Sequence, residues 1–403
     1  MLETTTWAAL AHLADMAWPL VLLLAWVLGE LLNKAIDLPR ISTYALLGFV
    51  AAPAQAGLLP VETPNWVLLA ANAAFGLMLF EFGHRINLRW FAVNRWLLAV
   101  GLLESAVSFA AVAGVAWACG LSERAALLLG ALSIATSPAA VMRVIDERRS
   151  AGQITERLVH LAGLNCMLSV LVFKALLGLM VFEHSGSLLA ALHASSVMVG
   201  ASVLLGLVFG AAALGLVALL ARAGSDNTVL FALAVIVLVA LTQTLQLSPI
   251  VAALSCGLMA RHQRSVLRRS ERGFGAFGDM LTVLLFVFIA SRLDARPVVA
   301  GLALATVLVA TRLLAKVGSV GLLARASGMS LKKGMLTGLA MAPLSAYAVL
   351  LLEQVQQAGI DVGPDLLAQL APLASMTLVL DLLAPVLMVL ALGWGRELQE
   401  RGD

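Results

Sequence analysis

Long apolar stretches, interrupted at short intervals by charged clusters, set the pattern of this chain. Each uninterrupted stretch read as one element gives thirteen, at approximately 18–33, 42–59, 65–82, 96–119, 124–142, 158–182, 190–221, 227–246, 248–260, 277–291, 297–324, 334–353 and 366–392. A barrel strand would show about 10 residues of alternating polarity. These runs are longer and continuous, and most are near the about 20 residues that a helix needs to cross a bilayer. In lipid every backbone N–H and C=O must pair internally, which a helix achieves within one segment. The pattern predicts an all-α polytopic membrane protein with about 13 transmembrane helices.

Composition agrees. Of 403 residues, 61% are hydrophobic and 12% charged, with a mean hydropathy of +0.98. A soluble domain carries about 45–50% apolar and about 25% charged residues. A soluble enzyme, a nucleic-acid partner and a disordered chain are therefore excluded, and the lipid bilayer is the expected surrounding. The net charge of +3 is too small to suggest a polyanion partner. Cys119, Cys166 and Cys256 lie in apolar runs without a CxxC, so neither a disulfide framework nor a zinc site is expected. The first residues lack the basic n-region of a cleavable signal. Loops are short, and nine residues follow Trp394, so no nucleotide-binding domain is expected.

Basic residues orient the bundle. Alternating the spans places 20 of the 26 lysines and arginines on one side, and only Arg124, Arg292 and Arg296 on the other. The positive-inside rule then puts the C-terminus in the cytoplasm and the N-terminus outside.

Five charges fall deep in their spans: Glu104, Lys174, Arg312, Lys316 and Asp381. A charge at mid-bilayer costs at least about 2.5–3.5 kcal/mol, so these should face a protein interior or a wet cavity and pair. Arg312 and Lys316 are four residues apart and share a helix face, where like charges repel. An acidic or anionic partner is expected for them. The alternatives at this point are structural salt bridges between helices and a direct place in a substrate path.

Two spans also contain a break. Ala135-Thr136-Ser137-Pro138-Ala139 interrupts the fifth, and Met341-Ala342-Pro343-Leu344-Ser345 the twelfth. Proline removes a backbone donor and clashes with the preceding turn. Many membrane helices merely kink there. Two interrupted helices at corresponding positions of two halves are, however, the sequence mark of a transporter site. Seven spans separate them, an odd number, as an inverted repeat requires.

Further motifs occur in order along the chain: Leu77 to Gly83 (LMLFEFG), the break at Ala135–Ala139, Ser248 to Leu254 (SPIVAAL) with Gly257-Leu258, Phe286 to Asp294 (FVFIASRLD), and Lys316 through Arg325 to Pro343. Together they resemble the monovalent cation/proton antiporters, or sodium/hydrogen exchangers. The resemblance implies a secondary transporter of a bacterial plasma membrane and a homodimer. It also implies a six-helix core, here about 96–182 and 297–392, that moves against a dimer scaffold, here about 18–82 and 190–291. All five deep charges and both breaks fall in that core. No resident cofactor or metal is implied; Na+, K+ or H+ would be cargo.

The chain departs from that family where it matters most. The family's sixth span carries Asn-Asp or Asp-Asp, whose second aspartate binds cation or proton; here the pair is Asn165-Cys166. The second break often reads Pro-Arg-Gly-Glu; here it reads Pro343-Leu344-Ser345-Ala346. A thiol is a poor ligand for hard cations, which favour oxygen, and a buried cysteine is commonly a small hydrophobe. Three readings stay open. Glu104 or Asp381 takes over as carrier, with the hydroxyls of Thr136, Ser137 and Ser345 and the Asn165 amide completing an oxygen cage. Alternatively, Lys174, Arg312 and Lys316 outweigh the two acids and the site takes an anion or other small solute. In the third, the chain is a transport-inactive regulatory homologue.

Weaker signals complete the picture. None of the six histidines has metal-ligand spacing, though His84 and His160 are candidates for sensing pH. No nucleophile elbow or phosphate loop is present, so the chain is not read as an enzyme. The arginine-rich run 261–272 reads as an anchor at anionic headgroups. In the long seventh span, Gly200, Gly206, Gly210 and Gly215 suggest close helix contacts, with GxxxG only at Gly206–Gly210.

Overall fold

The structure is a computed structural model that describes residues 2–181, 188–220, 227–262, 275–344, 366 and 369–399. Among these, regular structure is all helical. In chain order the helices are α1 (Leu2–Ile36), α2 (Arg40–Ala51), α3 (Asn65–Arg85), α4 (Leu88–Val93), α5 (Arg95–Ala118), α6 (Glu123–Ile134), α7 (Pro138–Glu147), α8 (Gln153–Val181), α9 (Leu188–Leu220), α10 (Asn227–Thr244), α11 (Pro249–His262), α12 (Gly275–Ser291), α13 (Ala295–Leu322), α14 (Leu331–Ala340) and α15 (Ala371–Trp394).

Eight helical stretches are long and apolar enough to cross a membrane, and four shorter apolar helices lie at Arg40–Ala51, Val229–Thr244, Pro249–Arg261 and Ala276–Ser291. These fall on twelve of the predicted spans. The remaining one, 334–353, begins as α14 and is described only to Leu344. Two boundaries differ from expectation. The first helix starts at Leu2 rather than near residue 18, and the fifth span continues to Glu147 rather than ending at 142.

The first break is not a kink. Ser137 caps α7, its Oγ accepting from the Ala140 N–H at 3.3 Å, and Pro138 occupies the first helical turn. Proline there sacrifices no bond, because that N–H has no intrahelical partner anyway. The groups left open are the last carbonyls of α6. Pro19 and Pro385, by contrast, sit inside the continuous helices α1 and α15. Neither follows a capping hydroxyl residue.

The helices pack in two sets. In one, α13 lies against α5, α14 and α15, while α6, α7 and α14 pack on α8. In the other, α11 packs on α3 and α9, and α12 on α2 and α3. Backbones touch in the second set. A Cβ on Gly257 would stand 2.0 Å from the Phe80 carbonyl oxygen, and one on Gly83 2.2 Å from that of Leu254, so α3 and α11 approach this closely only through glycine. Of the four glycines singled out in α9, Gly206 and Gly210 meet α11 in the same way, whereas Gly200 and Gly215 face open space. The α8–α9, α2–α15 and α3–α7 contacts join the two sets.

Candidate functional site

The two breaks meet. The Ser137 N–H donates to the Pro343 carbonyl at 3.0 Å, and Thr136 Oγ1 donates to the Met341 carbonyl at 3.4 Å. Each interruption thus satisfies part of the other's backbone. Most of what remains is taken by Arg312, reaching in from α13 and 0% exposed. Its Nε donates to the Ser133 carbonyl at 2.9 Å, Nη1 to Ala342 at 2.5 Å and Nη2 to Ala135 at 2.8 Å, with longer contacts from Nη2 to Pro343 and Met341. The acid expected for the face that Arg312 shares with Lys316 is Glu104, which bonds Lys316, while the hydrogen bonds of Arg312 itself go elsewhere. Its partners are carbonyls that the breaks set free, and buried backbone oxygens need such donors.

One helical turn further along α13, Lys316 has a different partner. Its Nζ lies 2.5 Å from Glu104 Oε1 on α5, 3.2 Å from the Ile134 carbonyl and 3.4 Å from Thr136 Oγ1. Both members of the ion pair are 0% exposed. Glu104 is further held by Ser108, whose hydroxyl donates to Oε1 at 2.9 Å, and by Asn165, whose amide donates to Oε2 at 2.7 Å. Asn165 Oδ1 in turn accepts from Ser105 Oγ at 3.1 Å. A carboxylate only accepts, which assigns the amide NH2 to its side. Cys166, beside Asn165 on α8, donates from Sγ to the Thr136 carbonyl at 3.1 Å. It is buried, and like Lys316 it meets the open end of α6.

Glu104, Thr136, Ser137, Pro138, Asn165, Cys166, Arg312, Lys316 and Pro343 are therefore brought together by α5, α6, α7, α8, α13 and the second break. Two deep charges are not. Lys174, half-buried on α8, and Asp381, on α15, make no hydrogen bond or ion pair among the described residues. Ser345 lies outside the described residues. Ser105 and Ser108 were missed from sequence. Ser108 had a signal: at i+4 from Glu104 it shares a helix face with the acid.

A second polar cluster covers the basic end of the bundle, where the charged turn of α7 contacts a different neighbour with each residue. Arg143 reaches α12, bonding Asp279 at 2.5 Å, Thr282 at 2.8 Å and the Gly278 carbonyl at 3.0 Å. Asp146 pairs with Arg85 of α3 at 2.7 Å. Glu147 accepts from Asn33 of α1 and from the Arg40 N–H at the start of α2. Arg148 pairs with Asp37 at 2.6 Å. Beneath these bonds lies a cleft of about 320 Å³ lined by Glu30, Arg40, Tyr44, Asp146 and Asp279, among others. A smaller cavity shares Arg143, Asp146 and Thr282 with it and continues along α7 to Ala139, in the first turn of that helix.

His160 is buried. Its Nε2 accepts from the Asn87 N–H at 2.9 Å, Nδ1 faces the Glu156 carbonyl at 2.6 Å, and the rings of Trp90 and Phe91 pack edge-on against it. This holds short α4 against α8.

A helical membrane bundle in which an interrupted helix meets the unwound end of a second at buried charges has the architecture of a secondary carrier. The sodium/hydrogen exchanger transmembrane family matches residues 20–392, and the chain belongs to that family; it is an integral membrane protein. Its fold is similar to that of the sodium proton antiporter MjNhaP1 from Methanocaldococcus jannaschii. The structure of that protein at pH 8 gives a TM-score of 0.63 at 18% identity, covering 95% of this chain and 99% of that one. A second, from electron microscopy, gives 0.67 at 18% identity, with 97% and 99% covered. The K(+)/H(+) antiporter NhaP of Alkalimonas amylolytica is 26% identical over 162 residues, which span 39% of this chain and 28% of that relative.

Proposed function

We propose that this chain exchanges a monovalent cation, Na+ or K+, for a proton, and that the exchange takes place around Glu104 rather than at the position of Cys166. The supporting observation is the Lys316 ammonium, buried among the oxygens of Glu104, Ile134 and Thr136. Hard alkali cations take ligands of this type, so the ammonium stands where a cation would bind. Lys316 gives its proton to water and withdraws, and Na+ or K+ takes its place against Glu104. One cation is bound for one proton released. The anion reading loses support, because all three guanidinium nitrogens of Arg312 face carbonyls and Lys316 faces an acid.

On this reading α5–α8 and α13–α15 form the moving core, and α1–α3 with α9–α12 the scaffold and dimer face. The basic end faces the cytoplasm, and the clefts along α7 form the access route. The test is exchange in proteoliposomes. Under an imposed pH gradient, Na+, K+ or Li+ added to the unmodified protein is expected to collapse the gradient. A gradient indifferent to all three overturns the proposal in favour of the inactive homologue.

Two variants probe its parts. Cys166→Asp sets a second carboxylate beside the cage, and its half-saturating cation concentration is expected to fall about tenfold, or 1.4 kcal/mol; an unchanged value would mean that residue 166 does not face the ion. Arg143→Gln removes the α7–α12 bridge. Asp279 is 64% exposed, and an exposed ion pair contributes at most about 1 kcal/mol, so the effect should be modest. In a Cys119→Ser background, an Ala139→Cys probe is expected to react several-fold faster with an aqueous maleimide once Arg143→Gln is added. Equal rates would show that the bridge does not guard the cleft.

A further inference from the structure

The exchange cycle above leaves the buried acid Asp381 unused. Asp381 lies near the middle of α15, 8% exposed. Among the described residues, the charged groups on the helices packed against α15 are committed elsewhere or lie at the surface. On α13, Arg312 holds the breaks, Lys316 holds Glu104, and Arg296 is exposed at the helix start. Lys333 of α14 is 3.7 Å from Glu397 and Lys332 is exposed. On α2, Arg40 pairs with Glu30, while Tyr44 lines the basic-end cleft. The acids and arginines at the end of α7 form the contacts already described. The segment 345–365, which follows the second break, contains no lysine, arginine or histidine. The chain therefore brings no cation to Asp381 from these directions.

The backbone at this point is open as well. Pro385 lies four residues on, inside the helix, so the Asp381 carbonyl receives no N–H from the next turn. The neighbouring Leu382 carbonyl accepts instead from Ser42 Oγ of α2 at 2.9 Å. Asp381 thus sits beside the α2–α15 contact, along the line where core meets scaffold on the two-body reading, and the inference rests on that reading.

We infer that Asp381 is a second proton-binding site: it carries a proton while the α2–α15 contact is closed and releases it to water when that contact opens. A lone carboxylate at membrane depth with no cation beside it holds a proton more readily than a charge. Ionisation leaves a carboxylate and one H+, with no other reactant. The bound protons per chain then exceed the one supplied by Lys316.

Infrared difference spectroscopy of the purified full chain reads this directly. The C=O stretch of a protonated carboxylic acid is expected in the unmodified protein, lost in Asp381→Asn, shifted but kept in Asp381→Glu, and kept in Glu104→Gln. Labelling the aspartate carboxyls with 13C, with no substitution at all, should move the same band, while labelling the glutamates should not. A band that survives Asp381→Asn, or that follows the glutamate label, overturns the inference whatever the vesicles do. Absence of cation exchange in unmodified vesicles overturns the function proposed above but leaves the band to decide this one.

Discussion

Arg312→Met is expected to lower stability by a large margin. Methionine keeps an unbranched side chain in the space but donates nothing. The carbonyls of Ser133, Ala135 and Ala342, now bonded at 2.5–2.9 Å, lose their donor inside the protein. An orphaned buried group costs about 1–3 kcal/mol, so three give roughly 3–9 kcal/mol. Relief from burying the guanidinium offsets part of this. A net loss of about 3–5 kcal/mol remains, a large share of the about 5–15 kcal/mol that separates folded from unfolded states. The midpoint of thermal unfolding in detergent should fall by roughly 10 °C. Arg312→Lys should recover only part of it, since an ammonium is a point donor and cannot span both breaks. An unchanged midpoint for Arg312→Met would show that water, not Arg312, satisfies those oxygens.

The second large effect is on transport. Glu104→Gln is expected to reduce cation-driven dissipation of a pH gradient at least a hundredfold, because a neutral cage binds alkali cations far more weakly. The same variant loses stability, since removing one member of a buried pair costs about 3–5 kcal/mol. A structural salt bridge predicts that loss too, so the double variant Glu104→Gln/Lys316→Met decides. Removing both charges should restore most of the stability, as replacing a buried pair by neutral groups often does, but none of the exchange. Exchange at the unmodified rate in the double variant would make the pair a structural bolt only.

Much of the bundle was legible in the sequence, because lipid leaves the backbone so few options. Apolar runs between charges located nearly every described helix. The first break was legible because Ser137-Pro138 is both cap and first turn; Pro19 and Pro385, without such a cap, show that proline alone is not the signal. The charges at depth were legible by their rarity, but their pairing was not. Glu104, Lys174, Arg312, Lys316 and Asp381 look alike in sequence, and tertiary packing alone decides that Glu104 meets Lys316 while Asp381 meets no charge among the described residues. The partners of Arg312 were hidden for a different reason: they are backbone oxygens, which any residue type supplies. The α7 cluster was hidden because Asp37, Asp146 and Asp279 lie at the membrane edge, where acids attract no notice. Each finds its arginine only once distant helices come together.

The hydrogen bond from Ser137 to the Pro343 carbonyl carries a mechanical consequence. It joins the first break to the second, and Arg312 clasps both. Neither interruption can swing alone without stranding its mate's polar atoms in oil. In the proposed exchange, the step that opens the site to one aqueous side and then the other carries the crossover as an undivided block, leaving the hinge-work to the seams around it.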